Sequence, residues 1–262
     1  MYEEFYQLLN ESEIAEYLDR INMKAPAVWD REALDELIRA HQYAVPFENL
    51  NLCMLNRPVT IDIPTLFQKI VRERRGGYCF EMNGMFHCLL KSLGYDASCC
   101  MARVVRGKTS VSPMLHRANF IKWEGKTLFA DVGFGGPQPA GAIVFEENTR
   151  QTVKGETFFF YKRDEWWWRL ARESSSGEIE DVLEFTAVPH EPIDFMVLNE
   201  YTATNPNSMF RQVMGVNLRT PTGNIALNDG VLTINDGGEK TERPVADEEL
   251  KDVLKEYFGL VV

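Results

Sequence analysis

Arg74-Arg75-Gly76-Gly77-Tyr78-Cys79-Phe80-Glu81-Met82-Asn83 is the stretch on which the reading of the chain turns. Two consecutive glycines let the backbone turn tightly. A helix-forming run then extends from about Cys79 to Leu93 and stops at Gly94, a C′ glycine. The turn therefore delivers a thiol to a helix N-terminus. The positive end of the helix dipole and the free N–H groups there favour a thiolate. The same N–H groups can form an oxyanion hole. Taken alone, Cys79 reads equally well as a buried structural cysteine behind a helix–helix turn.

Helical periodicity fills the chain before this turn. Ile14, Tyr17, Leu18 and Ile21 follow the i, i+3, i+4, i+7 spacing. Leu34, Leu37, Ile38 and His41 repeat it, with Asp30 placed as the N-cap. Pro64 fits the first turn of a third helix that Gly76 would close. Beyond about residue 95 the pattern becomes period two with β-branched and aromatic runs. Met101 to Val105, Asn119 to Trp123 and Thr127 to Val132 read as strands, the last two joined at Glu124-Gly125. Phe158 to Tyr161, Trp166 to Leu170 and Val182 to Thr186 continue the strands, and Glu173 to Asp181 reads as an exposed loop. The Trp166-Trp167-Trp168 cluster reads as core or barrel packing. Residues 192–203 turn helical again behind Pro192, short strands with Asn/Gly turns follow, and a helix from Asp247 to Phe258 comes last. Segregated helices and strands argue an α+β fold.

A nucleophilic thiol needs a base, and the chain has 4 histidines. His87 lies eight residues along the same helix as Cys79, ~12 Å away at the helical rise, and cannot reach the thiol. His41 falls on an apolar helix face and reads as a satisfied core residue. His190, between Pro189 and Glu191, reads as a surface loop residue. His116 remains. Asp131 sits in the apolar run Leu128-Phe129-Ala130-Asp131-Val132-Gly133-Phe134-Gly135-Gly136, where a carboxylate is buried only if paired. Strands 117–123 and 127–133 joined as a hairpin bring Asp131 and His116 to one end. Asp131 can then orient one ring nitrogen while the other faces Cys79, the arrangement of an activated thiol. A structural Asp–His hydrogen bond stays open as the alternative.

Composition narrows the function classes. The 262 residues are 45% hydrophobic and 26% charged, an ordinary globular balance. A net charge of −11 argues against nucleic acid as a general partner, though not against a small anion in a local basic pocket. No apolar run approaches the ~18 residues of a membrane span. Five cysteines, without metal-ligand spacing or a secretion signal, predict reduced thiols in a cytoplasmic protein. No phosphate-binding glycine motif is present.

The chain resembles the arylamine N-acetyltransferases. The resemblance rests on Pro46-Phe47-Glu48-Asn49-Leu50, the Arg74–Asn83 block, His116 and Asp131-Val132-Gly133-Phe134-Gly135. Tyr17-Leu18-Asp19-Arg20-Ile21 and Asn205-Pro206-Asn207-Ser208-Met209-Phe210 extend it towards both ends. It implies a helical bundle carrying the nucleophile (residues 1–95), a β-barrel carrying His and Asp (96–190) and an α/β lid (191–262), around a cysteine-protease-like core. It implies a Cys79–His116–Asp131 triad that moves acetyl by a ping-pong route from acetyl-coenzyme A to arylamines, hydrazines or hydroxylamines, with no metal. It places Phe47, Val104, Phe134 and Phe210 in the substrate pocket, and Gly135, Tyr201, Asn207 and Ser208 beside coenzyme A. Arg20, Glu48 and Arg74 would form a supporting charge network. Lys108, Arg103 and Arg106 are candidate phosphate partners from their position near His116. The partners expected are coenzyme A and a small aromatic amine or hydrazine, with no membrane or nucleic acid and an open oligomeric state. The same triad also fits a thiol hydrolase or an amide synthase, and a structural Cys79 fits a non-enzymatic binding protein.

Overall fold

The structure, a computed structural model, describes residues 2–262. Helix α1 (Glu11–Arg20) opens on Asn10, whose side chain accepts the Glu13 N–H while Glu13 returns to the Asn10 N–H. Helix α2 (Arg31–Ala44) starts at Asp30 as expected and buries Leu34, Leu37, Ile38 and His41. Two short elements without a sequence signal follow, β1 (Phe47–Glu48) and α3 (Leu50–Cys53). Helix α4 (Ile63–Phe67) has Pro64 in its first turn, then loosens into a π turn over Gln68–Arg72. It ends there, not at Gly76. Arg74 leaves the helix at φ +53°, and Gly76 is required for another reason. A Cβ on Gly76 would lie 1.8 Å from the Pro46 carbonyl oxygen. Helix α5 (Cys79–Ser92) is buried on every side from Cys79 to Leu90, as a helix apolar all round must be.

Eight antiparallel strands follow: β2 (Asp96–Val104), β3 (His116–Trp123), β4 (Lys126–Ala130), β5 (Ile143–Val144), β6 (Gln151–Val153), β7 (Glu156–Lys162), β8 (Trp168–Glu173) and β9 (Ile179–Phe185). Their order, β5-β4-β3-β2-β9-β8-β7-β6, curls into a nearly closed barrel. The Gln151 side chain bridges the seam, accepting the Val144 N–H at 2.6 Å and donating to the Val144 carbonyl at 2.8 Å. Phe120, Phe129, Phe145, Phe160 and Phe185 pack edge-to-face inside.

Three sequence expectations change here. The exposed loop expected over Glu173–Asp181 is shorter, a turn over residues 174–178, because Glu173 ends β8 and Ile179 opens β9. The tryptophans do not form one strand. Trp166 is 68% exposed before β8 begins, and Trp167 lies between the guanidinium groups of Arg103 and Arg163. Only Trp168 packs on the barrel aromatics, against Phe145. His190 is not a free loop residue, since its backbone pairs with Cys99 on β2.

Helices α6 (Phe195–Thr204) and α7 (Met209–Gln212) lead into β10 (Gly215–Arg219), β11 (Gly223–Asn228), β12 (Val231–Asp236) and β13 (Glu239–Pro244). Helix α8 (Leu250–Phe258) covers one face of this sheet with Val253, Leu254 and Phe258 against Val216, Leu227 and Leu232. The sheet has a fifth strand from far away in sequence. β1 pairs with β10, Phe47 opposite Asn217, and so ties the last sheet to the segment beside the glycine turn. Among the described residues no helix is long and apolar enough to cross a membrane.

Candidate active site

Cys79 is the first residue of α5 and is 3% exposed. The two glycines are needed for contact on both sides of the turn. Gly76 meets the Pro46 carbonyl, and a Cβ on Gly77 would lie 2.7 Å from the Glu81 carboxylate. The Gly77 carbonyl accepts the Glu48 N–H at 2.9 Å, so the turn is stitched to β1.

His116 opens β3 and Asp131 follows the last residue of β4. The β3–β4 register places Asn119 opposite Ala130, which brings both side chains to the same hairpin end. His116 Nε2 lies 2.6 Å from Asp131 Oδ2, both fully buried. The other ring nitrogen is free of Asp131, and the Cys79 thiol, close enough to favour the charged ring, donates to the Leu115 carbonyl at 3.6 Å. Burial alone would lower the His116 pKa, but the charge and hydrogen bond of Asp131, aided by Cys79, push it up to about 10. An imidazolium beside the sulfur follows.

A further shell fixes Asp131. Its Oδ1 accepts Asn83 Nδ2 at 2.8 Å and the Gly133 N–H at 2.9 Å. Asn83 stands one helical turn after Cys79 and also accepts the Val132 N–H at 3.0 Å. Gln42 donates to the Asp131 carbonyl at 2.9 Å. The sequence reading missed Asn83 and Gln42. The i, i+4 spacing of Asn83 from Cys79 is the signal that finds it, since both share a helix face.

A second buried group lies beneath the glycine turn. Arg75 Nη2 reaches Glu48 at 2.7 Å, and Lys69 Nζ reaches Glu81 at 2.6 Å and Glu48 at 3.6 Å. Burial opposes the charge on Glu48, yet Lys69 and Arg75 hold its pKa below the ordinary carboxylate value. Arg20 donates to the carbonyls of Ala44, Ile70, Arg74 and Arg75. This corrects the expected Arg20–Glu48–Arg74 network. Arg75 is the partner of Glu48, while Arg74 faces outward 3.7 Å from Asp19.

Most of the expected pocket residues gather nearby. The Phe134 ring meets the His116 ring edge-on at 5.4 Å. Phe210 packs on Tyr78 at 5.4 Å and on Phe47 at 6.3 Å. Gly135, at φ +69°, presses its Cα face against the Phe47 ring, where a Cβ would come within 2.7 Å. Val104 is half-buried at the end of β2, against the barrel core that Phe134 also touches. Ser208 is buried at the start of α7, whereas Tyr201 and Asn207 are exposed. A cleft of about 630 Å³ opens between the last sheet and the barrel, with Phe47, Met82 and Gly135 on its wall. Of the expected phosphate partners only Arg106 lines it. Arg103 is spent on Glu184 and the Trp167 ring, and Lys108 is exposed on the loop beyond β2. Arg172, Arg219 and Lys240 also line the cleft, each paired with a carboxylate, Glu180, Glu156 and Glu242 respectively, as Arg106 is with Glu180. Among the described residues no three His, Cys, Asp or Glu side chains group as a metal site.

A bundle-borne thiol set against a histidine and an aspartate from an antiparallel barrel defines the cysteine-protease-like Cys–His–Asp class of α+β fold. Comparison with known proteins narrows the class. A family model described as N-acetyltransferase matches residues 30–262. The arylamine N-acetyltransferase of Escherichia coli is 30% identical, over 94% of this chain and 88% of that protein. The arylamine N-acetyltransferase structure from Salmonella typhimurium superposes with a TM-score of 0.89 at 28% identity, covering 97% of this chain and 92% of the other. That of Mycobacterium marinum in complex with CoA superposes with a TM-score of 0.87 at 27% identity, covering 94% and 92%. The chain belongs to the arylamine N-acetyltransferase family.

Proposed function

We propose that this protein transfers acetyl from acetyl-coenzyme A to arylamines, arylhydrazines or N-hydroxyarylamines through a thioester on Cys79. One observation carries the reading: the Cys79 thiol at a helix N-terminus beside a buried His116 bound to Asp131 at 2.6 Å. The Cys79 sulfur attacks the acetyl carbonyl carbon, and the carbonyl electron pair moves to oxygen. The N–H of Cys79, outside the helical ladder, is placed to receive that oxyanion. The C–S bond to coenzyme A then breaks, and the His116 proton goes to the departing thiolate. A neutral amine attacks the acetyl-Cys79 carbonyl, His116 accepts its proton, and the Cys79 sulfur leaves. Aromatic amines and hydrazines suit the second step because they are largely unprotonated near neutral pH, unlike alkylamines.

The roles of the surrounding residues belong to the same proposal. Phe47, Val104, Phe134 and Phe210 line the acyl and acceptor pocket. Gly135, Tyr201, Asn207 and Ser208 contact coenzyme A. The cleft beside Phe47 and Gly135 has room for a long donor. Residues 1–95 supply the nucleophile, 96–190 the histidine and aspartate, and 191–262 the lid. Reduced thiols throughout suit a cytoplasmic enzyme, and arylamine and arylhydrazine acceptors suit xenobiotic metabolism. Hydrolase and amide-synthase chemistry are not favoured, because the relatives compared are transferases.

Intact-protein mass spectrometry after brief exposure to acetyl-coenzyme A tests the proposal. One added acetyl group is expected, absent in Cys79→Ala and removed by an arylamine with formation of its N-acetyl product. No adduct on protein whose Cys79 alkylates readily would defeat it.

A further inference from the structure

The mechanism above uses neither Lys69 nor Glu81, yet both are buried within the wall behind the nucleophile. Lys69 is 8% exposed and Glu81 is 1% exposed. A lysine is rarely placed so deep without a task. It reaches this position through the π turn over Gln68–Arg72, an insertion that costs regular helical bonding and recurs at functional sites.

The contacts form a chain that ends at Cys79. Lys69 Nζ donates to Glu81 Oε1 at 2.6 Å. The other oxygen, Oε2, accepts the Tyr78 N–H at 3.1 Å. The Tyr78 carbonyl accepts the Glu81 and Met82 N–H groups, each at 3.0 Å. Tyr78 is therefore gripped at both of its backbone groups. The carbonyl grip holds the Tyr78–Cys79 peptide, which carries the N–H assigned to the oxyanion, and the Glu81 grip holds the Gly77–Tyr78 peptide that leads into it. The carboxylate also lies against Gly77, where a Cβ would be 2.7 Å from Oε2. Lys69 stands 3.6 Å from Glu48, whose N–H donates to the Gly77 carbonyl. One ammonium thus ties together the two strands of chain that flank the nucleophile.

We propose that Lys69 is a positioning residue for acetyl transfer: it holds Glu81 against the Tyr78 N–H and so keeps the Cys79 N–H aimed at the developing oxyanion. The inference rests on the acetyl-transfer reading above. It assigns Lys69 no contact with the reacting atoms. Without the ammonium, Glu81 is a buried carboxylate lacking its counter-charge, and such a group moves towards water, which releases the Tyr78 N–H.

Two rates measured on the same protein separate this role from plain structural support. Alkylation of Cys79 by iodoacetamide displaces iodide at a saturated carbon and makes no oxyanion. Acetylation by acetyl-coenzyme A passes through one. Lys69→Met is expected to slow acetylation, followed by rapid-quench mass spectrometry, by about tenfold to a hundredfold. Alkylation is expected to stay within about twofold of the wild type, since the thiol–imidazole pair is untouched. Adding Glu81→Gln to Lys69→Met is expected to recover most of the acetylation rate. The amide still accepts the Tyr78 N–H and leaves no unpaired buried charge. Glu81→Ala keeps Glu48 as a partner for Lys69. It is the companion variant should Lys69→Met fail to fold, and is expected to show the same selective loss. Equal slowing of both reactions, or unchanged acetylation, would overturn the proposal. Wild-type protein that alkylates but does not acetylate would instead defeat the functional reading on which it rests.

Discussion

His116 and His41 are both buried, and their surroundings drive them in opposite directions. Asp131 and Cys79 hold the proton on His116 to about pH 10. The folded state then binds this proton more tightly than the unfolded chain, whose histidine titrates near 6.5. The resulting stabilisation is complete below about pH 6.5 and is lost as pH rises through about 10. NMR of the His116 ring should show its inflection near 10 in the wild type and well below that in Asp131→Asn. His41 has neither ring nitrogen hydrogen-bonded, so it is buried as expected but not satisfied. Burial, and to a smaller degree the charge of Arg20, push its pKa down to about 3. Here the unfolded chain takes up the proton first, and stability falls as pH drops from about 6.5 towards 3. His41→Phe is expected to flatten that acid limb, read as a smaller loss of urea midpoint between pH 7.5 and 4.5. At this scale the sequence was most legible where a residue type is rare in its setting, as for Asp131 in an apolar strand. It was least legible where neighbours compete. Arg74 and Arg75 are identical in type, and only the left-handed turn at Arg74 decides that Arg75 meets Glu48.

Elements with caps and long periodic faces were predicted nearly to the residue, as α2 from Asp30 and α5 from Cys79 illustrate. The failures have physical causes. The π turn hides Lys69 because an i to i+5 turn breaks the spacing on which helix reading depends. The polar residues of β8 and β9 look like loop because their charges pair across the strands, Arg172 with Glu180 and Arg169 with Asp181. Glycines show how one residue type serves different ends. A Cβ on Gly76 meets backbone at 1.8 Å, whereas one on Gly94, at φ +87°, meets nothing within 4 Å. Gly76→Ala is therefore expected to destabilise the protein by about 2–4 kcal/mol, since backbone must shift to make room. Gly94→Ala is expected to cost only about 1–2 kcal/mol of left-handed strain. Urea denaturation of the two variants checks the ranking, and a larger loss in Gly94→Ala would contradict it.

Arg219 shows what sequence patterns cannot reveal at the scale of the whole molecule. It sits on β10, donates to the Gln138 carbonyl at 2.8 Å and to Gln42 on α2 at 3.3 Å, and pairs with Glu156 on β7. One guanidinium thus touches the bundle, the barrel and the loop after Asp131. These partners are scattered along the sequence and have no shared period. Arg219→Met is expected to cost about 1.5–3 kcal/mol. It should also raise amide exchange in β10 and β11 more than in β2 and β3. Uniform exchange across both sheets would show that Arg219 does not hold the junction.

The two-residue strand β1 bears on how this protein is made. Phe47 and Glu48 leave the ribosome before the barrel, and their strand partners Asn217 and Val216 emerge only after it. During translation the nucleophile turn has its helix but not the sheet edge that anchors Glu48, so its final geometry waits for the distant strand. A nascent chain stopped before residue 215 carries Cys79, His116 and Asp131 and lacks the strand that fastens the segment beside the thiol. The fold thereby sets an order of events on the ribosome, with the β1–β10 pairing waiting until the barrel has been made.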